Sequence, residues 1–231
     1  MNPWKLLDSA QMPGSEEELR LYQRGTEFSI KAGNYELMNS RLHGSEDALA
    51  ELACQKITKH PGIRVLVGGL GMGYTVRSAL NGLGARAQVV VAELVPAVVK
   101  WNREFLADLA GNPLEDKRVT LHEADVAQMI KTAKGYYNVI LLDVDNGPQE
   151  LCRKDNHWLY SIEGLKTAFA ALRPEGVLAI WASGPDRGFS QAFSQRMRRS
   201  GFELDKVRVP ARGGGTGKKA GYHTIWIAMR V

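Results

Sequence analysis

A short run of β-branched residues that breaks into glycines constrains the fold more than any other feature. Residues 63–75 read IRVLVGGLGMGYT, with Gly69, Gly71 and Gly73 between a strand-like and a helix-like segment. Glycine is required where a positive φ or a close approach of the backbone excludes a Cβ atom. Such a turn brings backbone N–H groups against a nucleotide-like ligand. The pattern alone also fits a purely structural turn, so the strands that follow must decide.

Three later strand-like runs each lead into a carboxylate. AQVVVAEL contains Glu93, 20 residues after Gly73; RVTLHEADV contains Asp125; YNVILLDVDNGP contains Asp143. Open α/β sheets bind ligands at the carboxyl ends of their strands, where an acid about 20 residues after the glycine turn binds ribose hydroxyls. A dinucleotide enzyme would share the turn and Glu93. Asp125 and Asp143 favour S-adenosylmethionine or a relative instead, since they could hold an adenine and meet a sulfonium donor.

Strand and helix patterns alternate from residue 63 onward. The strands are expected near 63–68, 87–93, 118–122, 137–143 and 176–182. This rhythm predicts a parallel sheet covered by helices on both faces. After a helix at 189–199, FELDKVRVP and YHTIWIAMR lie too close together for a crossover helix and should pair antiparallel. We therefore predict an α/β fold for residues 61–231: a Rossmann-like, doubly wound, mostly parallel sheet that ends in an antiparallel hairpin.

Residues 1–60 differ from this rhythm and are expected to form a small extension. Residues 15–24 read as a short acidic-to-basic helix, and EFSIKAGNYELM reads as a β-hairpin around Gly33. A further helix follows, for which Ser45 is the expected N-cap. The predicted organisation is thus an N-terminal helix and β-hairpin extension, 1–60, before a catalytic domain, 61–231.

Composition narrows the setting of the protein. The chain has 231 residues, 44% of them hydrophobic, which is enough for one substantial core. It contains no apolar run of about 18 residues, and its start lacks the apolar core of a signal peptide. We expect a soluble, cytoplasmic protein without a membrane partner. The two cysteines and five histidines have no ligand spacing, so no metal is predicted.

The C-terminal quarter is basic. Residues 187–231 hold ten Arg or Lys residues against two acids, while the whole chain carries a net charge of +5. Such a surface could attract nucleic acid. No aromatic residues are interleaved to stack on bases, so a solvated surface is the favoured interpretation and nucleic acid the second. The N-terminal hairpin also offers an edge strand that a second copy could cover, giving a homodimer.

Six segments, taken in order, resemble the spermidine-synthase-like family of polyamine aminopropyltransferases and their relatives, within the class I S-adenosylmethionine-dependent transferases. They are VLVGGLGMGYT, VVVAELVPAVVKWN, VTLHEADV, YNVILLDVDNGP, NHWLYSIEGL and LRPEGVLAIWAS. The likeness spans about residues 25–185. It implies that Asp143 is the base or anchor for an attacking amine. It also implies that the adenosyl part of the donor is held by Gly69, Gly71, Gly73, Glu93 and Asp125.

The chain departs from the family pattern at the positions that bind the donor's tail and the acceptor. The family's glycine turn carries an Asp that holds the amino group of decarboxylated S-adenosylmethionine, where this chain has Gly71 or Met72. The family's Asp-x-x-Asp-Pro is shortened to Asp143-Val144-Asp145-Asn146, and its Tyr-x-Glu becomes Leu49-Ala50-Glu51. The departures imply that intact S-adenosylmethionine is tolerated and that putrescine is not the expected acceptor.

The chemistry expected of this site is substitution at a carbon beside a positively charged sulfur. The enzyme must align the reactants and leave the nucleophile unprotonated. Asp143 and Asp145 are the candidate catalytic residues, the first taking the proton and the second positioning a cationic substrate. Asn146, Asn156 and Tyr160 are the candidate acceptor-binding residues. The alternative is structural, since Asp and Asn are common turn residues after strands.

Three functions remain open from the sequence. The first is methylation, by S-adenosylmethionine, of a small acceptor that bears an amine. The second is aminopropyl transfer from decarboxylated S-adenosylmethionine to a polyamine precursor. The third is a non-catalytic protein that binds S-adenosylmethionine and contacts RNA or a protein partner through its basic surface.

Overall fold

An antiparallel sheet of four strands forms the N-terminal part of the protein. The computed structural model describes residues 3–14, 17–57, 62–144, 154–212 and 221–231. The strands, in their order across the sheet, are β1 (Lys5–Gln11), β2 (Glu18–Arg24), β3 (Glu27–Ala32) and β4 (Tyr35–Asn39). The hairpin predicted around Gly33 is present, with Ala32 paired to Tyr35.

The helix predicted at 15–24 is wrong, because β2 occupies most of that segment. Leu19 and Leu21 are both buried and lie two residues apart. That spacing places them on one face of a strand, whereas a helix would separate them. The acidic-to-basic composition suggested a helix, but burial of alternate residues determines the structure.

The first helix, α1 (Gly44–Gln55), leads from this sheet into the larger one. Its N-cap is His43, which makes no side-chain capping bond, so the expectation that Ser45 caps the helix is wrong. Ser45 lies inside the first turn and is buried. Its hydroxyl is instead bonded to two side chains near the cavity described below.

The larger sheet has seven strands and the predicted doubly wound topology. These strands are β5 (Arg64–Gly68), β6 (Gln88–Glu93), β7 (Val119–Glu123), β8 (Tyr137–Leu142), β9 (Leu172–Ala182), β10 (Phe202–Pro210) and β11 (Tyr222–Arg230). Their order is β10-β11-β9-β8-β5-β6-β7. Five consecutive strands of this order are parallel to one another: β9, β8, β5, β6 and β7. The strand β11 pairs antiparallel with both β9 and β10. The Rossmann-like fold with a terminal antiparallel hairpin is confirmed.

Helices cover both faces of this sheet. They are α2 (Tyr74–Gly82), α3 (Pro96–Glu104), α4 (Val126–Thr132), α5 (Ile162–Ala171) and α6 (Arg187–Arg199). Val65 and Val67 of β5 belong to one core, with α1, α2, α3 and the N-terminal sheet, whereas Leu66 belongs to the other, with α4, α5 and α6. This alternation explains why the central strands are apolar throughout. The domain boundary at 60/61 stays a prediction, although α1 shares the core of the larger sheet.

Within the described ranges, no helix has both the length and the apolar character needed to span a membrane.

Candidate active site

The glycine turn joins β5 to α2, as the sequence indicates. Gly69, Gly71 and Gly73 have φ values of +90°, +53° and +84°. A Cβ at Gly69 would collide with the carbonyl oxygen of Asp143, so this turn lies directly against the end of β8. The N–H of Gly69 donates to the Ala92 carbonyl at 2.9 Å, which ties the turn to β6. The turn therefore leaves its backbone free of side chains at the carboxyl ends of three strands.

Glu93 is the last residue of β6, and its side chain is hydrogen-bonded to the backbone of this turn. Its carboxylate accepts hydrogen bonds from the N–H groups of Leu70 at 2.9 Å and Val95 at 2.8 Å. Burial raises the pKa of Glu93, and these backbone donors act in the opposite direction. Each carboxylate oxygen can accept a second hydrogen bond, so ribose hydroxyls remain possible partners.

Asp125 follows β7 and caps α4. Its Oδ1 accepts a hydrogen bond from the N–H of Ala127 at 2.8 Å, which fixes the carboxylate at the mouth of the sheet. Gly69, Gly71, Glu93 and Asp125 all line one cavity. The structure thus brings most of the expected donor-binding residues together, while Gly73 lies just outside, at the start of α2.

The cavity has a volume of about 330 Å³ and lies between the two sheets. Apolar side chains of the N-terminal part form one wall: Met12, Leu19, Ile30, Leu37, Met38 and Leu42. Five carboxyl groups also line the cavity, those of Glu36 on β4, Glu46 on α1, and Glu93, Asp125 and Asp143 at strand ends of the larger sheet. Among the lining residues that the structure describes, none is Lys or Arg. The cavity therefore combines apolar side chains with carboxyl groups.

Asp143, the expected base or anchor, follows β8 and lies half-buried against α2. The hydroxyl of Thr75 donates to its Oδ2 at 2.6 Å. Burial raises the pKa of Asp143, and the bond from Thr75 acts in the opposite direction. The carboxyl group is thus held in one orientation beside the glycine turn.

A second carboxyl group, that of the half-buried Glu46, reaches the same cavity from the first turn of α1. Burial raises the pKa of Glu46, and the negative charge of Asp143 raises it further. Two carboxyl groups that interact in this way titrate as a pair. Glu46 therefore retains its proton to a higher pH than an ordinary glutamate.

Ser45 connects Glu46 to the last strand of the sheet. Its Oγ lies 2.5 Å from Oε2 of Glu46 and 2.8 Å from Nδ1 of His223 on β11. Burial lowers the pKa of His223 to about 4, so its imidazole ring is neutral at pH 7. Trp181, at the end of β9, packs edge-on against His223 with ring centres 4.7 Å apart. His223 and Trp181 both line the cavity.

The expected acceptor residues have different fates in the structure. Asp145 and Asn146 lie outside the described residues, and Asn156 lines the cavity. Tyr160 is buried, packs against Phe193 and donates its hydroxyl to the Val144 carbonyl at 3.3 Å. Glu51, at the position of the family's Tyr-x-Glu acid, is exposed on α1. The roles of Asp145, Asn146, Asn156 and Tyr160 in binding remain predictions.

Sequence reasoning did not single out Glu46, Thr75 or His223. For two of them a signal was available. Glu46 precedes the buried Leu49 and Ala50 by three and four residues, which places it on the inner face of α1. His223 precedes the buried Ile225 by two residues and so points to the same face of β11.

The basic C-terminal surface is partly tied into the fold. Arg196 donates to the carbonyl of Tyr160 at 2.9 Å, and Arg230 donates to the carbonyl of Phe169 at 3.0 Å. Arg198 and Arg199 are exposed on α6. Contact with nucleic acid and formation of a homodimer both stay predictions. In the described part of the chain, no group of three His, Cys, Asp or Glu side chains is placed to hold a metal ion.

The fold and the glycine turn with its strand-end acids define a class I transferase of the S-adenosylmethionine type in architecture. The spermine/spermidine synthase domain matches residues 50–203, and the chain belongs to this family.

Individual relatives agree with this assignment. The chain is 30% identical over 123 residues to a polyamine aminopropyltransferase of Prochlorococcus marinus (strain MIT 9301), covering 53% of this chain and 41% of that protein. It is 27% identical over 181 residues to the polyamine aminopropyltransferase of Leptospira biflexa, covering 77% and 60%. The chain thus spans only part of the curated relatives that it matches.

Solved structures share the fold. The spermidine synthase of Thermotoga maritima superposes with a TM-score of 0.76 at 18% identity, covering 98% of this chain and 73% of that one. A spermidine synthase in complex with the transition-state analogue AdoDATO gives a TM-score of 0.75 at 17% identity, covering 98% and 72%.

Proposed function

We propose that the protein is an aminopropyltransferase, which moves an aminopropyl group from decarboxylated S-adenosylmethionine to a small amine. The observation that carries this proposal is the lining of the cavity, which holds five carboxyl groups and, among its described residues, no Lys or Arg. An acceptor amine and a donor tail that ends in an ammonium group both suit such a lining. Family membership supports the same reaction.

The choice of donor follows from like-charge repulsion. Intact S-adenosylmethionine carries a carboxylate on its tail, and Coulomb repulsion between like charges is strong at buried sites. The decarboxylated donor lacks that group. Asp143 lies against the glycine turn and supplies such a charge, because the hydroxyl of Thr75 favours its ionised form. We therefore place aminopropyl transfer ahead of methyl transfer, the order opposite to the one that the sequence alone favoured.

In this function the donor's adenosyl part lies along the glycine turn. The φ values of the turn and the closeness of Gly69 to Asp143 leave room for a ligand only because side chains are absent there. Glu93 and Asp125 would accept hydrogen bonds from the ribose and the adenine. Asp143 would then stand where the acceptor amine meets the reacting carbon.

Methyl transfer from intact S-adenosylmethionine is the second candidate. The glycine turn favours it, because Gly71 and Met72 offer no anion at the position that holds the amino group of the decarboxylated donor in the family.

Calorimetric titration with each donor separates the two functions. We expect tighter binding of decarboxylated S-adenosylmethionine. Incubation with a panel of amines should then release the thioether product together with an aminopropylated amine, detected by mass spectrometry. Tighter binding of the intact donor and the appearance of a methylated amine would establish the second candidate instead.

A further inference from the structure

A chain of three side chains leads from the cavity to the last strand. Glu46 Oε2, Ser45 Oγ and His223 Nδ1 are joined by contacts of 2.5 and 2.8 Å. Ser45 is fully buried, whereas Glu46 and His223 both line the cavity and His223 is half-buried. The three residues come from elements at opposite ends of the chain, so the fold itself creates this connection.

This chain of hydrogen bonds can be polarised in either direction. A serine hydroxyl donates one hydrogen bond and accepts others, and a neutral imidazole has one donor and one acceptor nitrogen. With Glu46 ionised, Ser45 donates to Glu46 and Nδ1–H of His223 donates to Ser45. With Glu46 protonated, Glu46 donates to Ser45 and Ser45 donates to Nδ1. The change between the two states carries a proton from one end to the other without moving a heavy atom.

Asp143 has a different environment. Its Oδ2 accepts the hydroxyl proton of Thr75 at 2.6 Å, a bond that favours the ionised carboxylate. Glu46 feels the negative charge of Asp143 in addition to its own burial, and is therefore the stronger base of the two. When the surroundings of two neighbouring acids give them different pKa values, the two acids take different roles in catalysis.

The other charged groups around Glu46 do not compete for this role. The titratable groups that face it are Asp47 on α1, Tyr74 on α2, Asp143 after β8 and His223 on β11. Asp47 is paired with Arg77 at 2.6 Å. Burial raises the pKa of Tyr74 to about 12, which keeps its hydroxyl protonated.

We propose that Glu46 accepts the proton of the acceptor amine, that Ser45 and His223 carry this proton away from Glu46, and that Asp143 anchors the positive charge. The inference rests on the aminopropyl transfer proposed above. The acceptor's ammonium gives one proton to the Glu46 carboxylate, and the freed lone pair forms the new N–C bond. The C–S bond breaks with its electron pair on sulfur, which leaves as a neutral thioether.

The charges balance with one proton released per transfer. An ammonium and a sulfonium enter, and a secondary ammonium and a neutral thioether leave. The released proton passes from Glu46 through the Ser45 hydroxyl to Nδ1 of His223, while the proton on Nε2 goes to solvent. Glu46 is then ready for the next acceptor once the ring has returned to its first tautomer.

Variants of Glu46 and Ser45 test the inference. Glu46→Gln keeps the side-chain shape, removes the base and should lower kcat by about 100-fold with decarboxylated donor, in the range typical of a lost general base. The dissociation constant of the donor should stay within about twofold, and the acidic limb of the kcat/KM profile should move. Ser45→Ala should lower kcat with little change in the acceptor KM. Glu51→Gln, exposed on the same helix, is the control and should behave as wild type.

Two results would overturn the inference. One is a Glu46→Gln enzyme whose kcat and pH profile match wild type, which would leave proton transfer to Asp143 or to water. The other is a Ser45→Ala enzyme with unchanged kcat, which would eliminate the route to His223.

A titration without turnover separates this inference from the proposed function. Carbon NMR of glutamate carboxyl groups should show that Glu46 titrates well above the ordinary value of about 4.3, as the buried Glu93 should also do. The Glu46 signal is the one that should persist in Glu51→Gln and vanish in Glu46→Gln. If wild type transferred no group from either donor, the proposed function would fail. An ordinary titration of Glu46 would overturn the proton assignment independently.

Discussion

A carboxyl group that has lost much of its contact with water destabilises a folded protein whenever it is ionised, and the half-buried Glu46 is such a group. Its pKa in the folded protein is raised by burial and by the charge of Asp143. A carboxyl group with a raised folded pKa binds protons more tightly in the native state than in the unfolded state. Stability is therefore unaffected below the unfolded pKa and falls as the pH rises from there to the folded pKa.

Glu46→Gln should consequently stabilise the empty protein, even though it removes the proposed base. We expect no difference in melting temperature below about pH 4 and a gain at neutral and alkaline pH, worth roughly 1.4 kcal/mol for each unit of raised pKa. For a chain of this size each kcal/mol corresponds to about 2–4 °C. Scanning calorimetry of wild type, Glu46→Gln and Glu51→Gln from acid to alkaline pH measures this. Equal melting temperatures of Glu46→Gln and wild type at all pH values would show that folding does not raise the pKa of Glu46.

Residues at the ends of parallel strands could be located from the sequence, and residues brought in from elsewhere could not. Glu93, Asp125 and Asp143 follow apolar runs, and the topology of a parallel sheet brings such positions to one edge. Glu46 and His223 meet through Ser45 across 178 residues of chain. Their contact depends on how α1 docks on β11, which no local pattern encodes.

Among the connecting elements, the turn between β5 and α2 is the most constrained. A side chain at Gly69 faces two penalties, the φ of +90° and the collision with the Asp143 carbonyl. Gly25, between β2 and β3, has a similar φ of +60° but open space around it. A comparison of substitutions at Gly25 and Gly69 therefore separates the free-energy cost of a positive φ from the cost of a steric collision.

Gly69→Ala should abolish donor binding and lower stability by more than the 1–3 kcal/mol of a strained backbone alone, since the end of β8 must also shift. Gly25→Ala should cost only about 1 kcal/mol and leave donor binding intact. Chemical denaturation gives both free energies of unfolding, and calorimetric titration gives the donor affinity. Similar losses in the two variants would mean that the close approach of the turn to β8 matters little.

The strands of the larger sheet could be predicted from the sequence, whereas those of the N-terminal sheet could be predicted only in part. The central strands are buried on both faces, so each appears as an unbroken apolar run. β2 is buried on one face only and carries charged residues on the other, which resembles the composition of an exposed helix. Its two buried leucines, Leu19 and Leu21, were the available signal.

Across the whole molecule, the N-terminal sheet is joined to the Rossmann-like body by apolar packing and by polar contacts, one of which reaches a buried indole. Asp8 of β1 accepts a hydrogen bond from the indole nitrogen of Trp101 on α3 at 2.9 Å. Trp101 is fully buried, so its N–H has no access to water. Asp8 also contacts Lys100 at 3.1 Å, in a partly exposed ion pair.

Asp8→Ala should lower the free energy of unfolding by about 1–3 kcal/mol, because it leaves a buried indole N–H without an acceptor. Glu104→Ala removes the other carboxylate near Lys100, at 3.8 Å on the surface, and should cost less than about 1 kcal/mol. Urea denaturation compares the two variants. A similar small loss in both would mean that the Trp101 contact contributes no more than a surface ion pair.

The carboxyl groups that line the cavity have a practical consequence at the bench. A pocket with carboxyl groups and apolar side chains accommodates many small organic cations, including the primary amines used as buffers. Any such cation that binds only the folded state raises the melting temperature according to its concentration. An amine buffer would thus compete with weakly binding acceptors for the cavity. A screen for the natural substrate should therefore be carried out in phosphate buffer.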